Sequence, residues 1–293
     1  MKVTTILVAA LFVLQMPCVE LSHSAGQGGT KFQDELSQQE KIYKSDDERV
    51  LAGYVVDRSL RNYTHVLPRD FDRALADLGP EDRWLDIGAG MGFAILDYYN
   101  PNYDLLHPEG RERRGKKARA VAISIEDRSH FGWQATAARL EANQIRYLSG
   151  KRLREYKPEE LGRFQLITDV YGGFSYTSDL SRFMENVLGF LTLQGGFYAM
   201  LKNVRPEDGS SAPSVPDSSV ATQISKPDGP EVPICAWLKS ITCVQVTCEA
   251  RNWNPSGESY GIRKVCNDVT VPRLETTLFQ AGMPPVRRFQ LGK

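Results

Sequence analysis

Few backbone paths suit the stretch Trp84-Leu85-Asp86-Ile87-Gly88-Ala89-Gly90-Met91-Gly92. A short apolar run containing one acid passes into glycine at every second position, and Phe93-Ala94-Ile95-Leu96 then resumes the apolar pattern. A run of this kind bounded by glycine reads as a buried strand, and the apolar restart reads as a helix. Glycine takes positive φ at little cost and lets a backbone approach a ligand with no Cβ between them. The helix that follows offers unpaired N–H groups to the same loop. Strand, tight loop and helix start are therefore predicted here, with the loop as a seat for a nucleotide-like ligand.

Downstream, strands and helices alternate. Ala120 to Ile125 is a nearly continuous apolar run ending at Glu126-Asp127, as a strand buried on both faces requires. Ser129 is placed to cap a helix whose Trp133, Ala137 and Leu140 recur at helical spacing. Ile145 to Leu148 is a third strand before Ser149-Gly150, and Phe164 to Val170 a fourth, entering Tyr171-Gly172-Gly173. Leu180, Phe183, Met184, Val187, Leu188 and Leu191 line one face of a helix, with Ser178 as its cap and Gly195-Gly196 as its stop. Phe197 to Leu201 is a fifth strand. Strands joined by helical segments predict an α/β protein with a doubly wound, mainly parallel sheet, in which ligands sit beyond the carboxyl ends of the strands. Those ends are Asp86 to Gly92, Glu126, Ser149-Gly150 and Asp169 to Gly173.

On these residues the chain resembles a class I S-adenosylmethionine-dependent methyltransferase. The resemblance rests on Asp86-x-Gly88-x-Gly90-x-Gly92, the acidic end of the second strand, Asp169 ending the fourth, and the turn from Leu193 to Gly196. It covers about residues 70–202 and implies a Rossmann-like methyltransferase fold with antiparallel closing strands near the C-terminus. It implies that Asp86, Gly88, Ala89, Gly90 and Gly92 lie against the methionine moiety and adenosine of S-adenosylmethionine. Glu126 falls at the ribose-binding position, with Ser124 as the competing residue by strand register. Ser149, Gly150 and Lys151 fall near the adenine, and Asp169 to Tyr171 face the transferred methyl. A dinucleotide-binding oxidoreductase is the rival, but its G-x-G-x-x-G places the third glycine one residue later than Gly92. Asp86 before the loop also disfavours a pyrophosphate more than a cationic sulfonium.

Methyl transfer from a sulfonium asks little beyond holding a nucleophile in line, and a base where that nucleophile must lose a proton. Asp169 is the first candidate base, followed by Tyr171, with His130 a weaker one. The expectation is a methyltransferase acting on an unidentified acceptor. The alternative is a non-catalytic exported module that retains the fold and binds the cofactor. No cluster of metal-ligand type stands out in the sequence.

The flanking segments carry separate information. Residues 1–25, with Lys2 and an apolar core from Val3 to Val13, have the layout of a cleaved signal peptide and are too short for a comfortable membrane span. Export is expected, with an uncleaved membrane anchor as the alternative. Residues 26–79 read as a helical lead-in and 80–293 as the Rossmann-like domain. A basic insertion occupies 100–117 and a Pro- and Ser-rich flexible loop occupies 205–233, followed by strand-like runs at Ile241 to Cys248, Tyr260 to Cys266 and Arg287 to Leu291. Beyond the presequence Cys235, Cys243, Cys248 and Cys266 form an even set suited to two disulfides, with three pairings open. The 36 basic and 36 acidic residues cancel, so no bulk field favours nucleic acid or an anionic membrane.

Overall fold

The computed structural model of this protein describes residue 37 and residues 58–106, 117–202, 221–251, 257–280 and 286–292. The signal-peptide expectation for residues 1–25, residues 107–116 of the basic insertion with its Arg111, Arg113, Arg114 and Lys116, and residues 205–220 of the expected loop lie outside the described residues.

Two helices, α1 (Leu60–Val66) and α2 (Phe71–Ala76), lead into β1 (Arg83–Ile87). After the glycine loop come α3 (Phe93–Tyr98), α4 (Tyr103–Leu106), β2 (Arg119–Ile123), α5 (Gly132–Ala137) and β3 (Ile145–Leu148). The chain continues through α6 (Pro158–Leu161), β4 (Phe164–Val170), α7 (Gly173–Tyr176), α8 (Leu180–Phe190) and β5 (Leu191–Lys202). The C-terminal part holds β6 (Ala221–Ser225), β7 (Glu231–Val232), α9 (Ile234–Lys239), β8 (Val244–Arg251), β9 (Gly257–Lys264), β10 (Leu274–Gln280) and β11 (Val286–Leu291).

The main sheet has seven strands in the order β3-β2-β1-β4-β5-β9-β8. Its first five strands are parallel; β9 runs antiparallel to β5 and β8 antiparallel to β9. This is the doubly wound, Rossmann-like architecture with antiparallel closing strands. Because side chains alternate across a strand, Trp84 and Leu166 enter a core on one face with α1, α2 and α3, while Leu85 and Ile167 enter a core on the other with α8. Burial on both faces explains why these strands read as unbroken apolar runs. The order reverses between β1 and β4, which places the crevice of such a sheet between their carboxyl ends.

Several local expectations are corrected. The cap of α8 is Asp179, whose carboxylate accepts the Arg182 N–H at 2.9 Å, one residue after Ser178. Gly195-Gly196 lie inside β5, where the register with β4 shifts and Gln194 has φ 66°. Ser129 donates to Asp127 at 2.9 Å and starts no helix, and α5 begins after Phe131. The expected loop 205–233 contains β6 and β7 in its second half. These strands join β10 and β11 in a second sheet of order β10-β11-β6-β7, so β11 does not close the main sheet. In β6 only Thr222 and Ile224 are buried, and that short alternation is lost among the prolines and serines before it.

The four cysteines pair as Cys235–Cys248 and Cys243–Cys266, the first joining α9 to β8. Among the described residues no helix is long and apolar enough to cross a membrane.

Candidate active site

At the crevice between β1 and β4 the glycine loop takes the predicted form. Gly88, Gly90 and Gly92 have φ of 70°, 55° and 78°, a region costly for a residue with a Cβ. At Gly88 the requirement is also spatial, because a Cβ there would lie 2.6 Å from the Cα of Gly172. The loop after β1 and the turn after β4 are thus packed backbone against backbone. The Gly88 and Ala89 N–H groups both donate to the Ile123 carbonyl, at 3.0 and 3.1 Å. Tyr147 on β3 donates its hydroxyl to the Gly90 carbonyl at 2.6 Å, and the His130 N–H donates to the Met91 carbonyl at 3.1 Å. The ring of Trp133 lies where a Cβ on Gly92 would stand, 2.6 Å from it. Gly88 is exposed and Gly90 half-buried, so the clamped backbone still faces the crevice.

Asp86 sits beneath this loop, fully buried. Its carboxylate accepts Tyr63 Oη from α1 at 3.0 and 3.1 Å and Thr168 Oγ1 from β4 at 2.7 Å. Thr168 in turn accepts Trp84 Nε1 at 2.8 Å. Burial pushes the Asp86 carboxyl up to about 7, against the lowering effect of the Thr168 and Tyr63 hydrogen bonds. Burial and the neighbouring Asp86 raise the Tyr63 hydroxyl well above its ordinary value, so it remains a donor. Asp86 therefore joins α1, β1 and β4 under the loop, and its charge is muted there.

Asp169 is equally buried, and its two oxygens accept the backbone N–H groups of Gly172 at 2.8 Å and Phe174 at 2.9 Å. Burial raises this carboxyl to about 7 as well; the Phe174 and Gly172 hydrogen bonds and the charge of Arg287 oppose the rise, and Asp86 reinforces it. Arg287 reaches from β11 to donate to the Phe174 carbonyl at 2.8 Å and the Thr177 carbonyl at 3.2 Å. The second sheet thereby holds the turn that carries Tyr171. Tyr171 has φ 59°, a left-handed conformation that a tyrosine adopts at a cost of roughly 1 to 2 kcal/mol. Its hydroxyl donates to Met200 Sδ at 3.1 Å, and the Arg58 guanidinium stands 4.4 Å over its ring. Burial raises its hydroxyl above the ordinary tyrosine value.

The remaining predicted residues line the rim. Glu126 is exposed just past β2, whereas Ser124 is half-buried and donates its N–H to the Leu148 carbonyl at 3.0 Å. Ser149 and Gly150 are exposed; Gly150 has φ 84°, donates its N–H to the Ile125 carbonyl at 2.9 Å, and has open space where a Cβ would be. His130 packs against Phe93 and Phe131 with tilted rings whose centroids are 4.9 and 4.0 Å away, and its Nδ1 accepts the Gly132 N–H. The strand ends thus bring the glycine loop, Asp86, Asp169 and Tyr171 together, with Glu126 and Ser149-Gly150 on one side. Sequence reasoning missed Tyr63, Tyr147, Thr168, Arg58 and Arg287. Thr168, immediately before Asp169 in a buried strand, was the only one with a local signal, a polar residue in an apolar run.

One group of metal-ligand type occurs among the described residues, Cys235, Cys248 and Glu258. Its two sulfurs form a disulfide and Glu258 accepts Tyr260 Oη at 2.8 Å, so neither sulfur is a thiolate ligand.

Fold and site together define a Rossmann-like α/β protein with a left-handed glycine loop at its switch point. The sequence matches no family model and no curated protein. Solved structures similar to the chain include a 1,6-didemethyltoxoflavin-N1-methyltransferase from Burkholderia thailandensis with bound S-adenosylhomocysteine, at 14% identity over 81% of this chain and 90% of that one, with a TM-score of 0.48. The N-methyltransferase NodS from Bradyrhizobium japonicum is similar at 12% identity over 78% of this chain and 97% of that one, with a TM-score of 0.37. A geranyl diphosphate C-methyltransferase from Streptomyces coelicolor is similar at 14% identity, with 48% of this chain and 46% of that one covered and a TM-score of 0.33. This chain spans less than half the length of that last protein.

Proposed function

We propose that this protein binds S-adenosylmethionine along the Gly88–Gly92 backbone and transfers its methyl group to an acceptor that enters beside Tyr171. The observation that carries the reading is the glycine loop itself. Three left-handed glycines are clamped by Tyr147 and His130 at the switch point, with their backbone turned toward the crevice. The donor set fits a nucleoside: Glu126 on the rim suits ribose hydroxyls, and the open space at Gly150 suits a flat base. Phe93 occupies the position where a dinucleotide fingerprint has its third glycine, and its ring packs on His130, so a pyrophosphate has no close approach there. The bound cofactor would supply an electrophilic methyl group.

The chain's own residues then divide the work. Asp169 organises the turn through two N–H groups and holds Tyr171 in its strained conformation, so it acts as a positioning residue. Tyr171, protonated at neutral pH, orients the acceptor through its ring and hydroxyl. Calorimetry with S-adenosylhomocysteine tests the cofactor assignment: saturable binding is expected, and none at millimolar ligand would sink it. Where binding holds, Tyr171→Phe is expected to lower turnover with affinity for S-adenosylhomocysteine kept within a few-fold. Unchanged turnover would remove Tyr171 from the acceptor site.

A second reading is favoured by the two disulfides, which belong to an oxidising compartment. There the fold would serve as an exported module that binds the cofactor without turnover. Sequencing the mature N-terminus tests export, and a retained Met1 would speak against it. Binding of S-adenosylhomocysteine with no methylation of any acceptor fraction would favour the module over the enzyme.

A further inference from the structure

The end of the sheet opposite the crevice carries a row of cations. Arg83 and Arg119 open β1 and β2 and stand directly opposite one another in parallel register, hence on the same face. Arg146 of β3 stands opposite Val121, two residues further along β2 and on that same face. Arg163 immediately precedes β4, and Lys264 ends the antiparallel β9. Neighbouring strands are about 4.8 Å apart, so these residues mark one continuous edge of the sheet. Among the described residues none of the five takes part in an ion pair.

At one end the row enters a groove of about 550 Å³ lined by Arg163, Gly189, Thr192, Leu193, Lys264 and Asn267. Lys264 is buried, and its Nζ donates to the Leu188 carbonyl at 2.9 Å and the Leu191 carbonyl at 3.4 Å. Arg163 Nη1 donates to the same Leu191 oxygen at 3.5 Å. Burial first, then the like charge of Arg163, lowers the Lys264 ammonium from its ordinary value. Burial, then Arg146 and Arg119, does the same to Arg83, whose Nη1 donates to the Arg163 carbonyl at 3.4 Å.

The plain account is that Lys264 caps the carboxyl end of α8. That accounts for part of the charge only, because a helix terminus offers about half an elementary negative charge and here faces two full cations. Two cations that share one carbonyl oxygen repel each other, and an anion between them relieves the repulsion. A phosphate group suits the pair: a guanidinium presents a planar fork to its oxygens and an ammonium a point charge. Thr192 and Asn267 add hydroxyl and amide groups to the lining.

We propose that this groove, at the far end of the sheet from the glycine loop, is a second binding site that takes a small phosphate-bearing anion between Arg163 and Lys264, with Arg83 extending the positive field. The proposal does not depend on the cofactor assignment. Its test is calorimetric titration of the full chain with inorganic pyrophosphate at low ionic strength. Saturable binding is expected, weakened about tenfold or more by Arg163→Gln and by Lys264→Met, as loss of a charged hydrogen bond implies. Arg163 is exposed and holds only one long bond, so Arg163→Gln keeps the test decisive where Lys264→Met fails to fold. Where S-adenosylhomocysteine binds the wild type, its affinity is expected to be unchanged in Arg163→Gln. Absence of pyrophosphate binding by the wild type, or wild-type affinity in Arg163→Gln, would overturn the proposal.

Discussion

The glycine loop after β1 and the turn after β4 meet at the switch point, and each is built over a buried aspartate, yet the two acids are satisfied by different means. Asp86 takes its hydrogen bonds from side chains of other elements, Tyr63 of α1 and Thr168 of β4. Asp169 takes its own from the backbone three and five residues further on. The first arrangement ties elements together, and the second shapes one turn. Both leave a carboxyl that burial raises to about 7, so neither turn presents a fixed full negative charge to the crevice.

Five substitutions would break or sharpen this contrast. The largest effect is expected where the two turns touch. Gly88→Ala should lower stability by about 2 to 5 kcal/mol, combining a left-handed alanine with a backbone clash. Urea melts would read this directly, and a loss below about 1 kcal/mol would mean that the turns are not packed as described. Next comes Asp169→Ala, which orphans two buried N–H groups and should cost about 2 to 4 kcal/mol. Asp169→Asn should recover part of that loss, since its amide oxygen can still accept one of them. Tyr63→Phe removes a single donor from Asp86 and should cost about 1 to 2 kcal/mol in the same assay.

The last effect is a slope. A buried carboxyl raised to about 7 keeps its proton in the folded chain over a range where an unfolded aspartate, at about 3.9, has lost it. Between those values the folded state binds more protons, so its stability falls as pH rises through the window. Because Asp86 and Asp169 repel each other, their titration belongs to the pair. Melting temperatures recorded from about pH 5 to pH 8 should decline, and Asp86→Asn should flatten the decline while still bonding Tyr63 and Thr168. An equally steep slope in that variant would show that Asp86 does not titrate there.

The same contrast explains what could be read from the sequence. Asp169 followed by Tyr171-Gly172-Gly173 is a local pattern, and its turn was visible as a strand end of chemical interest. The capping role was less visible, since an acid before a glycine turn reads equally well as a base. Asp86 was visible too, but its donors were not. Tyr63 lies 23 residues away and Thr168 82, and Arg287 meets Phe174 across 113 residues. Nothing in a local window selects those partners. The second sheet was missed for a related reason, since β6 and β11 are short strands whose parallel pairing links residues such as Thr222 and Arg287.

By itself the sequence determined the strand, left-handed glycine loop and helix of residues 84–98, the alternation that makes the sheet doubly wound, and the two C-terminal strands that close it. Glycine's φ freedom and the periods of 2 and 3.6 act within a few residues, so a local window contains them. The tertiary structure alone decided the cysteine pairing, the hydroxyl donors that hold Asp86, the arginine that braces the Tyr171 turn, and the alignment of five cations along the opposite edge. Each of these depends on chain closure bringing distant residues into contact, and their energies come from burial and charge in the assembled interior rather than from any residue's own preference.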